Sequence, residues 1–359
     1  MKYNDIRRKT REVRVGDVTI GGTSRISVQS MTNTLATDID ATVKQIIALQ
    51  NAGCDIVRIT IPCVEALQSV YRAKEQGVRV PIVADIHFDY KLAIESANAG
   101  IDKIRINPGN IGADENVKKV CDVCNAKNIP IRIGINSGSL EKHILAKHGA
   151  PTPEALCESA MYHLGLLHKF DFHNAIISVK ASDPYSMIKA NKLVAERCDC
   201  PLHLGVTEAG GGSMGLIKSS IGIGSLLADG IGDTLRVSLT DDPVREVEAA
   251  RNLFTALNVE GQNGLSIVSC PTCGRTQISL IDLVRDFERA VDEEGLRDVC
   301  VKVALMGCIV NGPGEAREAD FGVAGGKGEA LFFRHGEIVE KIPEDAIVKR
   351  LIEEVKKNR

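Results

Sequence analysis

The stretch CDIVRITIP, Cys54 to Pro62, alternates its side chains with a period of two, Val57, Ile59 and Ile61 on one face and Arg58 and Thr60 on the other. That alternation is the mark of a β-strand. Seven further segments read as strands: ISVQSMTN, VPIVADIHF, IDKIRINPGN, IPIRIGINSG, NAIISVKASD, PLHLGVTEAG and DTLRVSLTDD. Helical stretches such as ATVKQIIALQNAG and YKLAIESANAG lie between them and end in glycine, as helix C-termini tend to. Eight strand-and-helix repeats within about 210 residues predict an α/β fold, a TIM (β/α)8 barrel. Ahead of them VRVGDVTIGG reads as a hairpin turning at Gly16 and Asp17, placed to close the barrel bottom.

The period of two also separates the faces of each strand. Outward positions are apolar, as with Ile104 and Ile106, and face the helices. The inward set is polar: Gln29, Arg58 with Thr60, Asp85 with His87, Arg105 with Asn107, Arg132 with Asn136, Lys180, Thr207, and Arg236 with Ser238. Barrel interiors normally hold layers of Val, Ile and Leu, and unpaired buried cations are costly. The five cations on five strands are therefore expected to ring an open mouth at the C-terminal face. Only Asp85 is inward to answer them, so the missing negative charge belongs to a ligand. Arginine forks grip phosphate and lysine adds a point charge, which points to a compact diphosphate or polyphosphate ester. The glycine-rich stretches GGGSMG (Gly210 to Gly215) and IGIGS (Ile221 to Ser225) are expected to add backbone N–H contacts.

Beyond the barrel, CPTCGRTQ (Cys270 to Gln277) and GCIVNGPGEA, which contains Cys308 and Glu315, bring three cysteines on loops broken by proline and glycine. The other cysteines have plainer readings. Cys121 and Cys124 sit at helical spacing in ENVKKVCDVCNAKN and are expected to be buried, and Cys198 and Cys200 close a helix before a strand. Cys300 lies eight residues before Cys308 in a stretch that reads as extended, which separates the two by roughly 26 Å at ~3.3 Å per residue. Glycine-rich loops that carry thiolates suit a cluster whose sulfurs need backbone N–H donors. A structural zinc site is the alternative, but it usually closes with cysteine or histidine, and neither follows at the expected spacing.

The whole chain sets limits. With 359 residues, a net charge of −3 and 44% hydrophobic residues, bulk charge supplies no reason to bind nucleic acid. Residues 1 to 15 are basic without an apolar core, and no stretch reaches ~18 uninterrupted apolar residues, so a cytoplasmic protein without a membrane span is expected. Eleven cysteines without an export signal argue against a disulfide framework.

Taken together, CPTCGR, GCIVNGPGEA, VRIT, ADIHF, RINPGN, RIGIN, SVKASD and GVTEAGGG resemble the 4-hydroxy-3-methylbut-2-enyl diphosphate synthase family of the non-mevalonate isoprenoid pathway, over almost the whole chain. The resemblance implies a substrate-binding barrel and a small α+β domain, similar to sulfite and nitrite reductase domains, that holds a 4Fe-4S cluster. It implies Cys270, Cys273 and Cys308 as ligands to three irons and Glu315 to the fourth, a harder and more readily exchanged ligand than thiolate. The implied reaction is the two-electron reduction of 2-C-methyl-D-erythritol 2,4-cyclodiphosphate, with flavodoxin or ferredoxin as donor. Arg58, Arg105, Arg132, Lys180 and Arg236 would hold the diphosphate. Thr60, Asn136, Thr207, Ser238 and Gln29 would assist, Glu208 would donate a proton, and Asp85 with His87 would orient the substrate or relay protons. Readings from other classes are a phosphate-ester-binding barrel with a structural zinc domain, or one whose cluster senses iron.

Domain boundaries are expected at 1–258 for the barrel, 259–264 for a linker and 265–359 for the cluster domain. The helix PVREVEAARNLFTALN returns the chain toward the barrel bottom, and VEGQNG extends at most roughly 20 Å. A cluster domain tethered there is poorly placed to cap its own barrel, and the resemblance implies a head-to-tail homodimer.

Overall fold

The computed structural model describes residues 3–259, 261, 262, 264–309 and 317–359. The chain divides into two units, one ending at Leu253 and the other running from Phe254 to Arg359. In the first, β1 (Val13–Val15) and β2 (Val18–Ile20) form an antiparallel hairpin. Its turn residue Gly16 has a φ of 55°, which glycine adopts without a Cβ penalty. Val13, Val15 and Ile20 pack against Ile56, Val83 and Ile176, residues at or next to the first positions of three barrel strands. The hairpin therefore plugs the N-terminal end of the barrel, as its sequence suggests.

Eight strands follow: β3 (Ser27–Met31), β4 (Ile56–Thr60), β5 (Ile82–Asp85), β6 (Lys103–Ile106), β7 (Ile131–Asn136), β8 (Ala175–Lys180), β9 (His203–Leu204) and β10 (Thr234–Leu235). They are hydrogen-bonded in the order β8-β7-β6-β5-β4-β3-β10-β9, all parallel. A parallel bridge between Ile177 and Leu202 joins the two ends and closes the barrel. Every strand is followed by helix, among them Ile39–Asn51, Asp114–Lys127, Gly212–Ala228 and Pro243–Ala256. Cys121 and Cys124 are buried in the second of these, which settles their reading as apolar helix residues. Gly53 and Gly100 carry positive φ just past the ends of helices Ile39–Asn51 and Tyr90–Asn98, closing each before the next strand.

One expectation fails here. Ile221 to Ser225 is not a loop but the interior of helix Gly212–Ala228, so its amides are used within the helix. The reason is packing: a Cβ on Gly222 would collide with the Val206 side chain, so small residues let the helix lie close to the sheet. Gly210 and Gly211, by contrast, do form the approach to that helix, with Gly211 at its N-cap. No helix among the described residues is long and apolar enough to cross a membrane.

The second unit contains a mixed five-stranded sheet. β11 (Ser266–Ser269), β12 (Lys302–Met306) and β13 (Phe321–Gly325) are parallel neighbours, and β14 (Glu329–Arg334) and β15 (Glu337–Pro343) extend it antiparallel. Helix Leu280–Glu293 buries Leu280, Leu283, Phe287 and Val291, which recur at helical spacing along one stripe. Helix Ile347–Lys357 buries Ile347, Leu351, Ile352 and Val355 against the same cluster as Val303, Val323 and Phe332 of the sheet. The opposite face carries a smaller cluster of Ala304, Met306, Ala319, Ala324 and Phe333, against which Cys270 packs.

The plug is open to a direct test. Ile20 is fully buried, so Ile20→Ala should cost about 2–5 kcal/mol in barrel stability. A denaturant midpoint unchanged from that of the unmodified protein would mean that the hairpin is not part of the cooperative barrel.

Candidate active site

A cavity of about 300 Å³ opens within the barrel unit, lined by the C-terminal ends of its strands and the residues just beyond them. Of the residues that the alternation places inward, Arg58, Thr60, Asp85, His87, Arg105, Asn136, Lys180, Thr207, Arg236 and Ser238 all line it, joined by Met31 and Ser178. These residues come from β3 to β8 and from the segments after β9 and β10, so only closure of the barrel brings them together.

The cations do not stand in an open mouth. Arg58, Arg105 and Lys180 are all less than one-tenth exposed, and Arg132 is completely buried. Two carboxylates make this tolerable, where the strand pattern offers one. Asp85 lies between two guanidinium groups, 3.2 Å from Arg105 Nη1 and 3.8 Å from Arg58 Nε, with His87 Nε2 also at 3.8 Å. Burial works to raise its pKa, but the fields of Arg58 and Arg105 prevail and hold it at about 2. Asp85 is thus an ion-pair partner for both arginines. Burial lowers Arg58 itself to about 10, against the opposing attraction of Asp85. Lys180, desolvated and facing Arg58 and Arg236, is pushed well below the ordinary lysine range.

The second carboxylate, Glu246, comes from helix Pro243–Ala256 and has no signal in the strand alternation. Arg236 grips it with a fork, Nε to Oε2 at 2.9 Å and Nη2 to Oε1 at 2.8 Å. Ser30 Oγ and the backbone N–H of Leu239 also donate to it, at 2.7 and 3.1 Å. Glu246 is 2% exposed. Arg236 therefore has its charge answered inside the protein, unlike Lys180, which makes no side-chain hydrogen bond among the described residues.

Glycine makes room for this crowd. An ideal Cβ on Gly134 would overlap the Arg105 guanidinium, so the glycine in RIGIN is the space that Arg105 occupies. At Gly205 a Cβ would come within 2.8 Å of the Arg236 carbonyl oxygen and 3.1 Å of Lys180 Nζ.

Four predicted residues lie elsewhere. Arg132 and Gln29 sit below the cavity, where Arg132 Nη1 donates to Gln29 Oε1 at 3.1 Å. Glu208 is exposed beside Thr207, its backbone in the left-handed region at a φ of 54°. Asn107 does not line the cavity either, but donates to Ser139 Oγ at 3.2 Å and accepts from the Gly109 amide, tying the loops after β6 and β7. The strand reading missed Lys103 and His203, both fully buried. Lys103 precedes Arg105 by two, so extending the same alternation one step would have found it.

In the second unit, the paired ends of β11 and β12, where Ser269 registers with Leu305, carry Cys270 and Cys308 to the same edge of the sheet. The Gly307 amide donates to Cys270 Sγ at 3.3 Å. Cys273 is exposed, and the backbone N–H of Arg275, assisted by its guanidinium, lowers its thiol pKa and favours thiolate. Gln277 N donates to Gly307 O at 3.0 Å, and Thr276 Cγ2 stands 2.8 Å from where a Cβ on Gly307 would lie, so the two loops are locked together. A thiolate-favouring Cys273, an amide aimed at the Cys270 sulfur and two glycine-bearing loops fit an iron–sulfur cluster. Among the described residues no three His, Cys, Asp or Glu side chains gather closely enough for a single metal ion. Glu315, the expected fourth ligand, lies outside the described residues.

Replacing Glu246 by glutamine would leave the Arg236 charge without its partner. Glu246→Gln should therefore destabilise the protein by about 3–5 kcal/mol, read by urea denaturation. A change below about 0.5 kcal/mol would show that Arg236 does not depend on that pair.

Comparison with known proteins agrees with both units. Residues 10–251 match the GcpE TIM-barrel domain and residues 266–357 the GcpE protein C-terminal domain. A relative from Fusobacterium nucleatum, named 4-hydroxy-3-methylbut-2-en-1-yl diphosphate synthase (flavodoxin), is 53% identical over 98% of this chain and 96% of its own. One of the same name from Clostridium perfringens is 51% identical over 96% of this chain and 98% of its own. Among solved structures, a type I 3-dehydroquinate dehydratase from Clostridium difficile matches 68% of this chain and 98% of its own at a TM-score of 0.50 and 15% identity, a likeness of barrel fold alone. Matched by both family domains and by relatives along nearly its whole length, the chain belongs to the GcpE family.

Proposed function

We infer that this protein is a 4-hydroxy-3-methylbut-2-enyl diphosphate synthase, which opens the ring of 2-C-methyl-D-erythritol 2,4-cyclodiphosphate by two-electron reduction and releases the departing hydroxyl as water. The observation that carries this reading is the barrel cavity, in which Arg58, Arg105 and Lys180 converge with too few carboxylates to neutralise them. A cyclic diphosphate supplies the missing negative charge. Arg58, Arg105 and Lys180 would clamp it and stabilise the charge released as the ring opens, with Thr60, Asn136, Thr207 and Ser238 as hydrogen-bonding partners. Asp85 would keep both arginines aimed at the ligand, and His87 at the cavity edge would orient it. Arg132 with Gln29 would act from below, and Arg236, already paired, would shape the wall more than bind.

We propose that Cys270, Cys273, Cys308 and Glu315 hold a 4Fe-4S cluster in the unit that begins near residue 265, joined to the barrel of residues 1–258 through 259–264. When bound, the cluster supplies the electrons. Flavodoxin is the proposed donor, since the relatives carry it in their names. The protein would work in the cytoplasm as a head-to-tail homodimer, each cluster unit serving its partner's barrel.

Anaerobic turnover of the cyclic diphosphate with reduced flavodoxin tests the activity itself. Lys180→Met should lose about 2–5 kcal/mol of substrate binding and leave the cluster's absorption spectrum unchanged. Cys270→Ser should lose the cluster and keep the barrel. Mixed with demonstrated subunit exchange, the two inactive proteins should recover activity, because one interface then joins an intact barrel to an intact cluster. Complete inactivity of that mixture would refute the shared site. Glu208, the neighbour of cavity-lining Thr207, is the proposed proton donor to the leaving hydroxyl. Glu208→Gln should bind substrate normally and turn over roughly 10²- to 10⁴-fold more slowly, and unimpaired turnover would remove that role.

A further inference from the structure

Below the cavity the barrel holds a second tier of polar side chains where apolar layers are usual. Lys103 lies on β6 two residues before Arg105, on the same face and one layer deeper. It does not line the cavity and is completely buried, and its Nζ has no hydrogen-bond partner. Its neighbours in this tier are similar. Arg132 uses Nη1 on Gln29 and leaves Nε and Nη2 without partners, while Gln29 Nε2 and His203 Nε2 also have none. His203 has only Thr234 Oγ1, 3.4 Å from its Nδ1.

The charges felt at Lys103 are those of Arg132 on β7 and Arg58 on β4, and Lys103 in turn acts on His203 on β9. Arg105 follows it on the same face of β6, Lys180 on β8 belongs to the same interior, and the carboxylate of the adjacent strand β5 is Asp85. Asp85 is committed to Arg58 and Arg105. An arginine cannot shed its proton in a protein, but a lysine can. Where buried cations crowd together, the lysine is therefore the group that yields.

We propose that Lys103 is a charge-regulating residue beneath the diphosphate site, neutral in the empty barrel and protonated from solvent when the anion binds above it. Burial, then the fields of Arg132 and Arg58, hold its pKa well below the ordinary lysine value in the empty protein. A diphosphate placed among Arg58, Arg105 and Lys180 brings negative charge that reverses this field and draws the pKa up again. The balance is one proton from bulk water to the Lys103 amine, with no covalent bond made or broken. Because the complex holds more protons than its free components, affinity strengthens as pH falls between the two Lys103 pKa values. Above that window Lys103 is neutral in both states and below it charged in both, so its contribution to the pH dependence vanishes.

The proposal rests on the diphosphate reading of the cavity, and one experiment separates the two. Oxidised holoenzyme, without reductant and so without turnover, is titrated calorimetrically with 2-C-methyl-D-erythritol 2,4-cyclodiphosphate in buffers of different ionisation enthalpy across pH 7–10. Protons taken up by the ligand are common to the unmodified protein and to Lys103→Met, and cancel in the difference. The unmodified protein should take up more protons by as much as about one per site. Its Kd should weaken by up to about tenfold more per pH unit within the window. Lys103→Leu, of different shape, should behave as Lys103→Met does, and near-ultraviolet circular dichroism establishes that both are folded. Equal proton uptake in all three proteins would overturn the role of Lys103 and leave the diphosphate site standing. Absence of binding to the unmodified protein would overturn both.

Discussion

Mutual repulsion among buried basic side chains is the constraint on which the barrel unit depends. Arg58, Lys103, Arg105, Arg132, Lys180 and Arg236 share an interior in which Asp85 and Glu246 are the carboxylates that answer them. Such an arrangement is expensive in an empty protein and becomes favourable when an anion enters. The structure meets the cost in different ways. Arg236 is neutralised by a carboxylate from a helix. Arg58 and Arg105 share Asp85. The two lysines, which alone among the six can lose a proton, have theirs held loosely.

Space is the companion constraint. The Arg105 guanidinium fits inside the barrel because the neighbouring strand β7 gives up a side chain at Gly134. The segment after β9 gives up another at Gly205 beside Lys180. The hairpin plug at the other end of the barrel is wholly apolar at its buried positions. The plug end of the barrel is thus apolar, while the basic side chains lie around the cavity and in the tier beneath it.

The second unit solves a different problem with similar means. Parallel pairing of β11 with β12 sets two loop starts side by side, and backbone amides, assisted at Cys273 by the Arg275 guanidinium, provide the field around sulfur. Gly307 lets Thr276 of the CPTC loop come close, so the loops support each other before any metal is considered. The membership of the GcpE family covers both units, which ties a cation-lined barrel and a cysteine-loop sheet to one activity.

Much of this was legible in the amino-acid order, because alternation along a strand is a local property. Once each strand is recognised, the side of Arg58, Arg105 or Lys180 follows from counting by two, and the breakers around Cys270 and Cys308 declare loops without reference to the rest of the chain. Local order says which face a residue is on, but not its height. Strand stagger in a closed barrel decides that, and it puts Arg132 and Gln29 beneath the cavity while Arg58 and Arg105 line it. Pairing is likewise tertiary: Glu246 reaches Arg236 and Ser30 from a helix, at a sequence distance of 216 residues from Ser30, so no period within a strand could announce it. Sequence alone determined the fold class, the inward basic residues and the cysteine loops. Only the folded chain decided which of those charges are answered by protein and which are left for a ligand, because electrostatic energy depends on separation in space and on burial, and neither is a property of a residue's neighbours in sequence.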